Sequence, residues 1–455
     1  MSGAIIYVKR DLHITEVQQE IFVGCLSIVS IIGSLIGGPT SDSIGRKWTM
    51  GIGALIFQAG AVVMTFAPSF TILMLGRLIT GVGIGFGFSI SAVYIAELSP
   101  AAARGTLVSV SEIFVNIGIL LGYISNYAFS GLPQHINWRI MLGVGILPAF
   151  FIGITFYMIP ESPRWLVMQN RLEEARSVLV KVSGKDEDVE QRLKDIQEAA
   201  CVNSGYKKES SYREILFPSP AVRRMLAAGC GIMVFQQITG IDATVYYSPT
   251  ILKNAGIKSE KKILATTVGV GFTKTVFILI AIFLIDKVGR KVLLYVSTIG
   301  MTVCLAMLGM ALALQKHLLE SGMQEFGIGL AIFAVCGNVA FFSIGLGPIC
   351  WVLSSEIFSL RLRAKASALG QVGARVSSSL VSMSFLSLSR AMSVAGVFFL
   401  FSAISAVAVV FVKVCVPETK GKTLEEIEMA LRGGEKLDQA DVESVKTEQE
   451  TETIT

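Results

Sequence analysis

Four charged side chains lie inside long apolar stretches of this chain, where ionisable groups are rare. They are Glu112, Asp242, Lys274 and Arg375. A charge at the centre of an isolated membrane helix costs about 2.5 to 3.5 kcal/mol, so such residues normally face a water-filled cavity or one another. Two acids and two bases sum to zero charge, and we expect them to line one polar cavity. For Lys274 and Arg375, structural salt bridges between helices are the alternative.

The sequence around Asp242 predicts an interrupted helix. Gly240 weakens the helix just before the acid, and Pro249 interrupts the same apolar stretch further on. Broken helices near the middle of a bilayer free backbone polar groups and line binding sites. Gln236 and Gln237 precede the break, and their amides can both donate and accept hydrogen bonds, as an array of ligand hydroxyls requires. Ordinary interhelical hydrogen bonding is the alternative for this glutamine pair.

Composition places these residues in a bilayer. The chain is 52% hydrophobic and only 16% charged, whereas about a quarter of the residues of a soluble domain are charged. The net charge of +5 does not indicate a nucleic-acid partner, because the basic residues are concentrated in loops between apolar runs, as the positive-inside rule requires. The seven cysteines show no metal-ligand spacing, so we expect packing roles for them and no metal site.

Apolar runs of about 20 residues cross the hydrocarbon core, and the sequence predicts eleven. They cover residues 20–38, 48–67, 71–96, 106–129, 139–159, 226–252, 263–285, 291–315, 327–353, 365–388 and 395–416. The basic loops then lie on the cytoplasmic side, with residues 1–20 on the opposite side. We expect a helical half at 1–159, a cytoplasmic linker with amphipathic helices at 160–224, a second half at 225–416 and a largely disordered cytoplasmic tail at 417–455.

Charged cassettes occur twice, once in each half. The pairs are Asp42-Ser-Ile-Gly45-Arg46-Lys47 with Asp286-Lys-Val-Gly289-Arg290-Lys291, Glu97 to Arg104 with Glu356 to Arg363, and Pro160-Glu161 with Pro417-Glu418. From the second acid to the third is 64 residues in one half and 62 in the other, counted between Glu97 and Glu161 and between Glu356 and Glu418. Two copies of one membrane module have therefore been joined. Duplicated helical halves around a midplane cavity are typical of secondary transporters.

The repeat is uneven at its beginning. Two spans precede the Asp-x-x-Gly-Arg-Lys cassette in the second half, but only one precedes it in the first half. The unmatched element is the first helix of the first module. We expect either that the protein dispenses with it or that the sequence begins at an internal methionine of a longer reading frame.

Several motifs together resemble the sugar porter branch of the major facilitator superfamily. They are the two Asp-x-x-Gly-Arg-Lys cassettes, Pro160-Glu-Ser-Pro-Arg-Trp-Leu166, Gln236-Gln237-x-x-Gly-Ile-Asp242-x-x-x-Tyr-Tyr247, Gly347-Pro-Ile-Cys-Trp351 and Pro417-Glu-Thr-Lys-Gly421. Within that branch, the stretches 122–130, 138–143, 160–169 and 342–345 are most similar to plant polyol and monosaccharide transporters. The resemblance implies an all-α multi-pass membrane protein with two six-helix halves, the first helix being absent here. It also implies a transporter and not an enzyme, moving a polyol or monosaccharide as a proton symporter that needs no other cofactor.

The resemblance also assigns roles to residues. The substrate-binding candidates are Glu112, Gln236, Gln237, Asp242, Tyr247, Lys274, Trp351 and Arg375. Glucose carriers have amide side chains at the positions of Glu112, Asp242 and Lys274. Charged side chains at these three positions are a feature that this chain shares with the polyol group. Trp351 offers a flat face to a sugar ring, although a place in the interfacial belt of tryptophans is the alternative.

Arg77 is the expected coupling residue. In the family an acid on the first helix neutralises it and takes up the proton. Without that helix Arg77 is a buried cation lacking its partner, a change that typically costs 3 to 5 kcal/mol. The chain as given is therefore expected to be either poorly folded or limited to downhill exchange.

The duplicated cassettes are predicted to act as cytoplasmic gates. Interdomain ion pairs among them would close the inner side, and each exposed pair contributes only about 0 to 1 kcal/mol, so ligand binding could break them. The gating candidates are Asp42, Arg46, Glu97, Arg104, Glu161, Asp286, Arg290, Glu356, Arg363 and Glu418. Setting the topology by positive charge alone is the alternative.

Two other functions stay open at this point. One is a sugar sensor that uses the same cavity to signal without transport, although the tail after Pro417 is short and acidic for that purpose. The other is an inactive truncated product. The plasma membrane is the expected location, and the sequence indicates neither the particular polyol nor the oligomeric state.

Overall fold

The fold is helical throughout the part of the chain that is described. The computed structural model describes residues 2–99, 104–182, 189–194, 196–197, 217–358 and 363–420, and no strand occurs within these ranges. The first half contains α1 Ala4–Asp11, α2 Glu16–Ile44, α3 Arg46–Thr65, α4 Phe70–Leu98, α5 Arg104–Ala128, α6 Gln134–Gly143 and α7 Ile146–Phe156. The linker contributes α8 Pro163–Met168 and α9 Leu172–Val182. The second half contains α10 Pro220–Ile238, α11 Ile241–Tyr246, α12 Ser248–Asn254, α13 Glu260–Val288, α14 Arg290–Ala313, α15 Gln315–Glu320, α16 Gln324–Ile344, α17 Leu346–Glu356 and α18 Arg363–Cys415.

Ten segments of the described chain are long and apolar enough to cross a membrane. The last of them, α18, has 53 residues and would be about 80 Å long if straight. It breaks at Ser393, where φ is 67° and ψ is 159°. The rings of Phe385 and Phe398, on either side of the break, are 6.0 Å apart, although 13 residues of straight helix span about 20 Å. The chain folds back here, so α18 consists of two apolar helices, one on each side of Ser393; the count of eleven crossings stays a prediction.

The duplicated cassettes form the same turn in both halves. Gly45 joins α2 to α3 with φ 100°, and Gly289 joins α13 to α14 with φ 107°. A positive φ is accessible to glycine at little cost and strains other residues. Each glycine also lies against an acid of the third cassette, Glu161 in the first half and Glu418 in the second. The conformation of these two turns explains why glycine precedes the basic pair in both copies.

Helices α2 and α4 approach so closely that their contact requires glycine. A Cβ atom on Gly85 would lie 2.2 Å from the carbonyl oxygen of Ser30, and one on Gly33 would lie 2.3 Å from that of Val82. Small residues that let backbones touch are a typical feature of packing between membrane helices. The glycine-rich sequence of α4 thus serves helix packing.

The two halves contact each other along two pairs of helices. Helix α2 packs against residues 363–392 of α18, and α5 packs against α13. In the first pair, the hydroxyl of Ser379 donates to the carbonyl of Gly24 over 2.7 Å. Another contact between the halves joins α5 to α11, where the hydroxyl of Tyr123 donates over 3.0 Å to the carbonyl of Val245. Gly24 and Tyr123 lie nearer the helix ends opposite the basic loops, so the expected extracellular side is closed in this conformation.

The α2–α4 contact can be tested by comparing two glycines of α4. Gly85→Ala is expected to lower the apparent melting temperature of the detergent-purified protein, because overpacking typically costs about 1 to 3 kcal/mol. Gly87→Ala is the matched control, since a Cβ atom there meets nothing within 4 Å. It should be neutral or slightly stabilising, because alanine favours helix more than glycine does. Equal melting temperatures would show that this contact does not limit stability.

Candidate functional site

The four charged side chains of the membrane interior come together between the two halves. Glu112 lies on α5, Asp242 on α11, Lys274 on α13 and Arg375 on α18, and all four are half-buried. Lys274 interacts electrostatically with both Asp242 and Glu112, and Glu112 interacts with Arg375 as well. Opposite charges are thus arranged so that each acid has a basic neighbour. The incomplete burial of all four leaves them accessible to a polar ligand.

Asp242 is positioned by the interruption that the sequence predicted. Gly240 has φ 84° and ψ 18°, in the left-handed region, so α10 ends and the short helix α11 begins with Asp242 in its first turn. A negative side chain near a helix N-terminus is favoured by the unpaired N–H groups and the helix dipole. The carboxylate accepts a hydrogen bond from the hydroxyl of Ser378 on α18. The sequence analysis did not single out Ser378, whose serine-rich surroundings were its only signal.

The two glutamines have different environments. The Nε2 atom of Gln236 donates to the carbonyls of Leu346, at 3.1 Å, and Gly347, at 2.8 Å. These carbonyls lie where α16 gives way to α17, so Gln236 makes the interhelical hydrogen bonds that were the alternative to a ligand contact. Gln237 donates to the side-chain oxygen of Gln236 over 3.3 Å. Its own Oε1 atom has no hydrogen-bond partner within the described chain, so it is the better placed of the two to receive a ligand hydroxyl.

Tyr247 has the environment of a packing residue in this conformation. Its side chain is buried, stacks on Phe385 with ring centroids 4.9 Å apart, and donates to the carbonyl of Ser382 over 2.8 Å. The neighbouring Tyr246 is half-buried and interacts electrostatically with Asp242. Residues four apart share a helix face, whereas residues five apart do not. Helical spacing from Asp242 was therefore the signal that favoured Tyr246.

Trp351 packs within the second half, whereas Arg375 of the cluster contacts the first half. Trp351 is half-buried on α17, where it packs against the core of the second half. The guanidinium carbon of Arg375 lies 4.1 Å from the ring centroid of Phe88 on α4, which belongs to the first half. Such a cation–π contact is worth about 2 kcal/mol when it is desolvated. Arg375 therefore joins the two halves in this conformation.

Arg77 is buried on α4 with a relative accessibility of 4%. Its Nε atom donates to the carbonyl of Phe22 over 3.1 Å, and its guanidinium lies 5.1 Å from the ring of the same residue. Its Nη2 atom has no hydrogen-bond partner in the part of the chain that the structure describes. Arg77 interacts electrostatically with Tyr246, and Tyr246 interacts electrostatically with Asp242 and Arg375.

The first-half cassettes form a compact network beside the α2–α3 turn. Arg46 contacts Glu97 through Nε at 3.1 Å and Nη2 at 3.2 Å, and its Nη1 atom lies 3.1 Å from Asp42. Glu161 accepts hydrogen bonds from the backbone N–H groups of Arg46, at 2.9 Å, and Lys47, at 3.1 Å. Those N–H groups open α3 and have no partner inside the helix. Glu161 therefore caps α3, while Arg46 holds α4 to the turn.

The second-half cassettes repeat this arrangement. Arg290 contacts Glu356 at 3.1 Å, and Glu418 accepts from the backbone N–H groups of Arg290, at 3.1 Å, and Lys291, at 3.0 Å. The first residue of each helix after the turn is thus capped by an acid about 115 to 128 positions further along the chain. The cassettes that are repeated in the sequence therefore make equivalent contacts in the two halves.

Every ion pair described among the cassette residues joins partners from the same half. The interdomain ion pairs expected from the sequence stay a prediction. The side chains of Arg104, Asp286 and Arg363 lie outside the described part of the structure. No group of three or more metal-ligating side chains occurs among the residues described.

The two copies of the network allow a matched stability test. Glu97→Ala is expected to lower the free energy of unfolding by about 3 to 5 kcal/mol, because it leaves Arg46 buried without its main partner. Glu356→Ala should cost less, since the side chains of Arg290 and Glu356 are 15% and 21% exposed, against 7% and 11% for Arg46 and Glu97. Glu174→Ala breaks a pair on the surface and should change stability by about 0 to 1 kcal/mol. Denaturant unfolding in detergent would rank the three, and a larger loss at Glu356 would contradict this reading.

The chain matches known proteins over nearly its whole length. The family model described as "Sugar (and other) transporter" matches residues 5–431. Probable polyol transporter 4 of Arabidopsis thaliana is 62% identical over 443 residues, covering 97% of this chain and 83% of the relative. The glucose transporter GlcP of Staphylococcus epidermidis is 34% identical, covering 95% of this chain and 93% of the relative.

Solved structures agree with these relatives. The proton:xylose symporter XylE, bound to 6-bromo-6-deoxy-D-glucose, superposes with a TM-score of 0.76 at 28% identity, covering 94% of both chains. A partially occluded inward-open form of XylE from E. coli gives a TM-score of 0.77, covering 93% of this chain and 94% of that one. The family match, the identity to plant polyol transporters and this fold all agree with the resemblance seen in the motifs. The chain therefore belongs to the sugar transporter family of the major facilitator superfamily, as a multi-pass membrane protein that transports solutes and is not an enzyme.

Proposed function

We propose that the protein is a secondary transporter that moves a polyol or monosaccharide across the membrane by alternating access, coupled to protons. The observation that carries the proposal is the cluster of Glu112, Asp242 and Lys274. These side chains come from both halves, lie deep in apolar helices and are only half-buried. Charged groups at that depth need water or a polar ligand around them. A cavity between two halves that can separate on either side supplies both.

The chemistry of the site suits a polyhydroxylated ligand. Asp242 and the free Oε1 atom of Gln237 accept hydrogen bonds, while Lys274 donates them. Ligand hydroxyls can satisfy both kinds of group, because each hydroxyl donates once and accepts twice. Trp351 and Tyr246 add flat apolar faces for the C–H surface of the ligand. The charged side chains of Glu112, Asp242 and Lys274 favour a ligand whose hydroxyl groups form hydrogen bonds with them. The relatives named as polyol transporters support a polyol as this ligand.

The conformation described here is one stage of the cycle. The halves are joined near the helix ends opposite the basic loops, and the described cassette pairs at the basic-loop ends stay within single halves. Exchange between this arrangement and one opened on the other side would carry ligand across. The cassette networks keep each half rigid, so that the halves move as bodies, and we retain them as gating residues in that sense.

Proton coupling is proposed to act through Arg77. A buried guanidinium with an unpartnered Nη2 atom favours a nearby negative charge, and protonation of an acid there would remove that attraction. Tyr246 interacts electrostatically with both Arg77 and Asp242, and we infer that a change of charge near Arg77 alters the ligand site. Two solved structures of similar fold are described as those of a proton symporter of xylose. The plasma membrane is the proposed location, and no cofactor other than the proton is proposed.

Substitutions at the site separate ligand contacts from packing residues. Asp242→Ala and Gln237→Ala are each expected to abolish uptake of radiolabelled polyol at unchanged abundance in the membrane, because each removes an acceptor for a ligand hydroxyl. Tyr247→Phe is the control: it removes a buried hydrogen bond worth about 1 kcal/mol and should leave the KM unchanged. Wild-type kinetics in Asp242→Ala or Gln237→Ala would remove that residue from the site.

A second test addresses coupling. Arg77→Gln is expected to abolish accumulation of the ligand against its gradient in cells that express the protein. Equilibrium exchange of labelled for unlabelled ligand should continue, because it needs the site but not the proton. Arg176→Gln, at an exposed ion pair with Glu190, is the control and should accumulate normally. Accumulation by Arg77→Gln that an uncoupler abolishes would show that another residue couples the proton.

A further inference from the structure

We propose that Ser378 links the ligand site to the closure of the two halves. Its hydroxyl contacts the carboxylate of Asp242 on one side and the hydroxyl of Ser27, in the other half, on the other side. The inference rests on the proposed function in one respect, that Asp242 binds the transported ligand. The new element is Ser378, through which the affinity of Asp242 for the ligand depends on whether the extracellular side is open.

The direction of the hydrogen bonds follows from proton counting. A hydroxyl has one proton, and an ionised carboxylate can only accept. The hydroxyl of Ser378 donates to the Oδ2 atom of Asp242. The proton of Ser378 therefore lies on the bond to Asp242. The hydroxyl oxygens of Ser378 and Ser27 are 3.3 Å apart. Ser27 must then donate the hydrogen bond to Ser378.

The hydrogen bonds from Ser27 to Ser378 and from Ser378 to Asp242 form a relay. This relay lies in a seam of polar contacts between α2 and residues 363–392 of α18. Ser27 and Ser378 are both buried. One helix turn away along the seam, Ser379 donates to the carbonyl of Gly24. Nearer the extracellular end, the carboxylate of Glu20 accepts from both the backbone N–H and the hydroxyl of Ser387, at 2.7 and 2.5 Å. These bonds form between the halves, so they must break when the extracellular side opens.

Ser378 differs from its neighbours in having a partner in the ligand site. Among the described seam contacts, those of Ser379 and Ser387 end on α2, whereas that of Ser378 continues to Asp242. A hydroxyl that accepts a hydrogen bond becomes a stronger donor, because linked hydrogen bonds polarise one another. Ser27 therefore strengthens the bond from Ser378 to Asp242 only while the seam is closed.

This geometry gives the site two affinities. With the extracellular side closed, Asp242 is well satisfied by the protein, and a ligand hydroxyl gains less by binding it. With that side open, Ser378 loses its donor and Asp242 is more available to the ligand. Tighter binding from outside and weaker binding toward the cytoplasm favour inward delivery. A ligand that prefers one of two conformations shifts the balance toward it, so ligand on Asp242 should in turn loosen the seam.

The link can be tested without any ligand. Hydrogen–deuterium exchange of the α2 backbone around Ser27 would be measured in the full chain, reconstituted in lipid nanodiscs, for Asp242→Ala, Ser378→Ala and the double variant. Asp242→Ala should raise the exchange rate of this α2 segment about two- to tenfold, as the weakening of one hydrogen bond predicts. The effect would have to pass through Ser378, because none of the described hydrogen bonds joins Asp242 to α2 directly. In the Ser378→Ala background the same change should add nothing. Ser379→Ala is the matched control, in which Asp242→Ala should keep its full effect.

The outcomes separate the relay from the proposed function. Exchange effects of Asp242→Ala that are equal with and without Ser378 would overturn the relay, as would loss of the effect in Ser379→Ala. Ser378→Thr, which keeps a hydroxyl, should restore the coupling. In transport assays Ser27→Ala should lower the KM for ligand presented from the cytoplasmic side, and Ser379→Ala should not. A wild-type protein that takes up no polyol would contradict the proposed function, while the exchange result would still decide the relay.

Discussion

Charge that leaves water must be paired or hydrogen-bonded, and this constraint organises both the centre and the loops of the protein. At the centre, Lys274 interacts electrostatically with both Asp242 and Glu112. At the basic turns, Arg46 is almost fully buried but contacts Glu97 through two nitrogen atoms. Removing one partner of such a pair costs several kcal/mol. The same requirement therefore fixes a rigid scaffold within each half and leaves a charged, partly hydrated site where the halves meet.

Interrupted helices give that site its polar groups. Backbone groups in hydrocarbon must be satisfied internally, so a helix can break only where other partners are at hand. At the start of α17, the amide of Gln236 supplies partners for the carbonyls of Leu346 and Gly347. At Gly240, the break directs the first turn of α11 and its acid toward Ser378. Structural and binding roles are thus divided between two adjacent glutamines, since Gln236 holds the break and Gln237 keeps a free acceptor.

The contact between halves combines strength with reversibility. Interhelical hydrogen bonds within membranes contribute about 0.6 kcal/mol each on average, so the seam of α2 and α18 can hold one side closed without making the closure permanent. Serine suits this purpose, because its small side chain permits close approach and its hydroxyl bonds across the gap. The serine-rich stretch of α18 had no assigned role in the sequence, and its meaning comes from its position opposite α2.

The sequence by itself determined the membrane fold, the repeat and the family, because hydropathy, loop charge and motif spacing are local properties of the chain. It also indicated Asp242, Gln237 and the cluster of opposite charges, since an ionisable group in an apolar span has few stable environments. It predicted Tyr247 for the site, whereas in this conformation Tyr247 stacks on Phe385 and the neighbouring Tyr246 interacts electrostatically with Asp242. Tertiary structure alone decided that the described cassette ion pairs join partners from the same half and that Ser378 contacts both Asp242 and Ser27. These contacts join residues far apart in the chain, and their formation depends on which helices pack together and on which side the halves are closed.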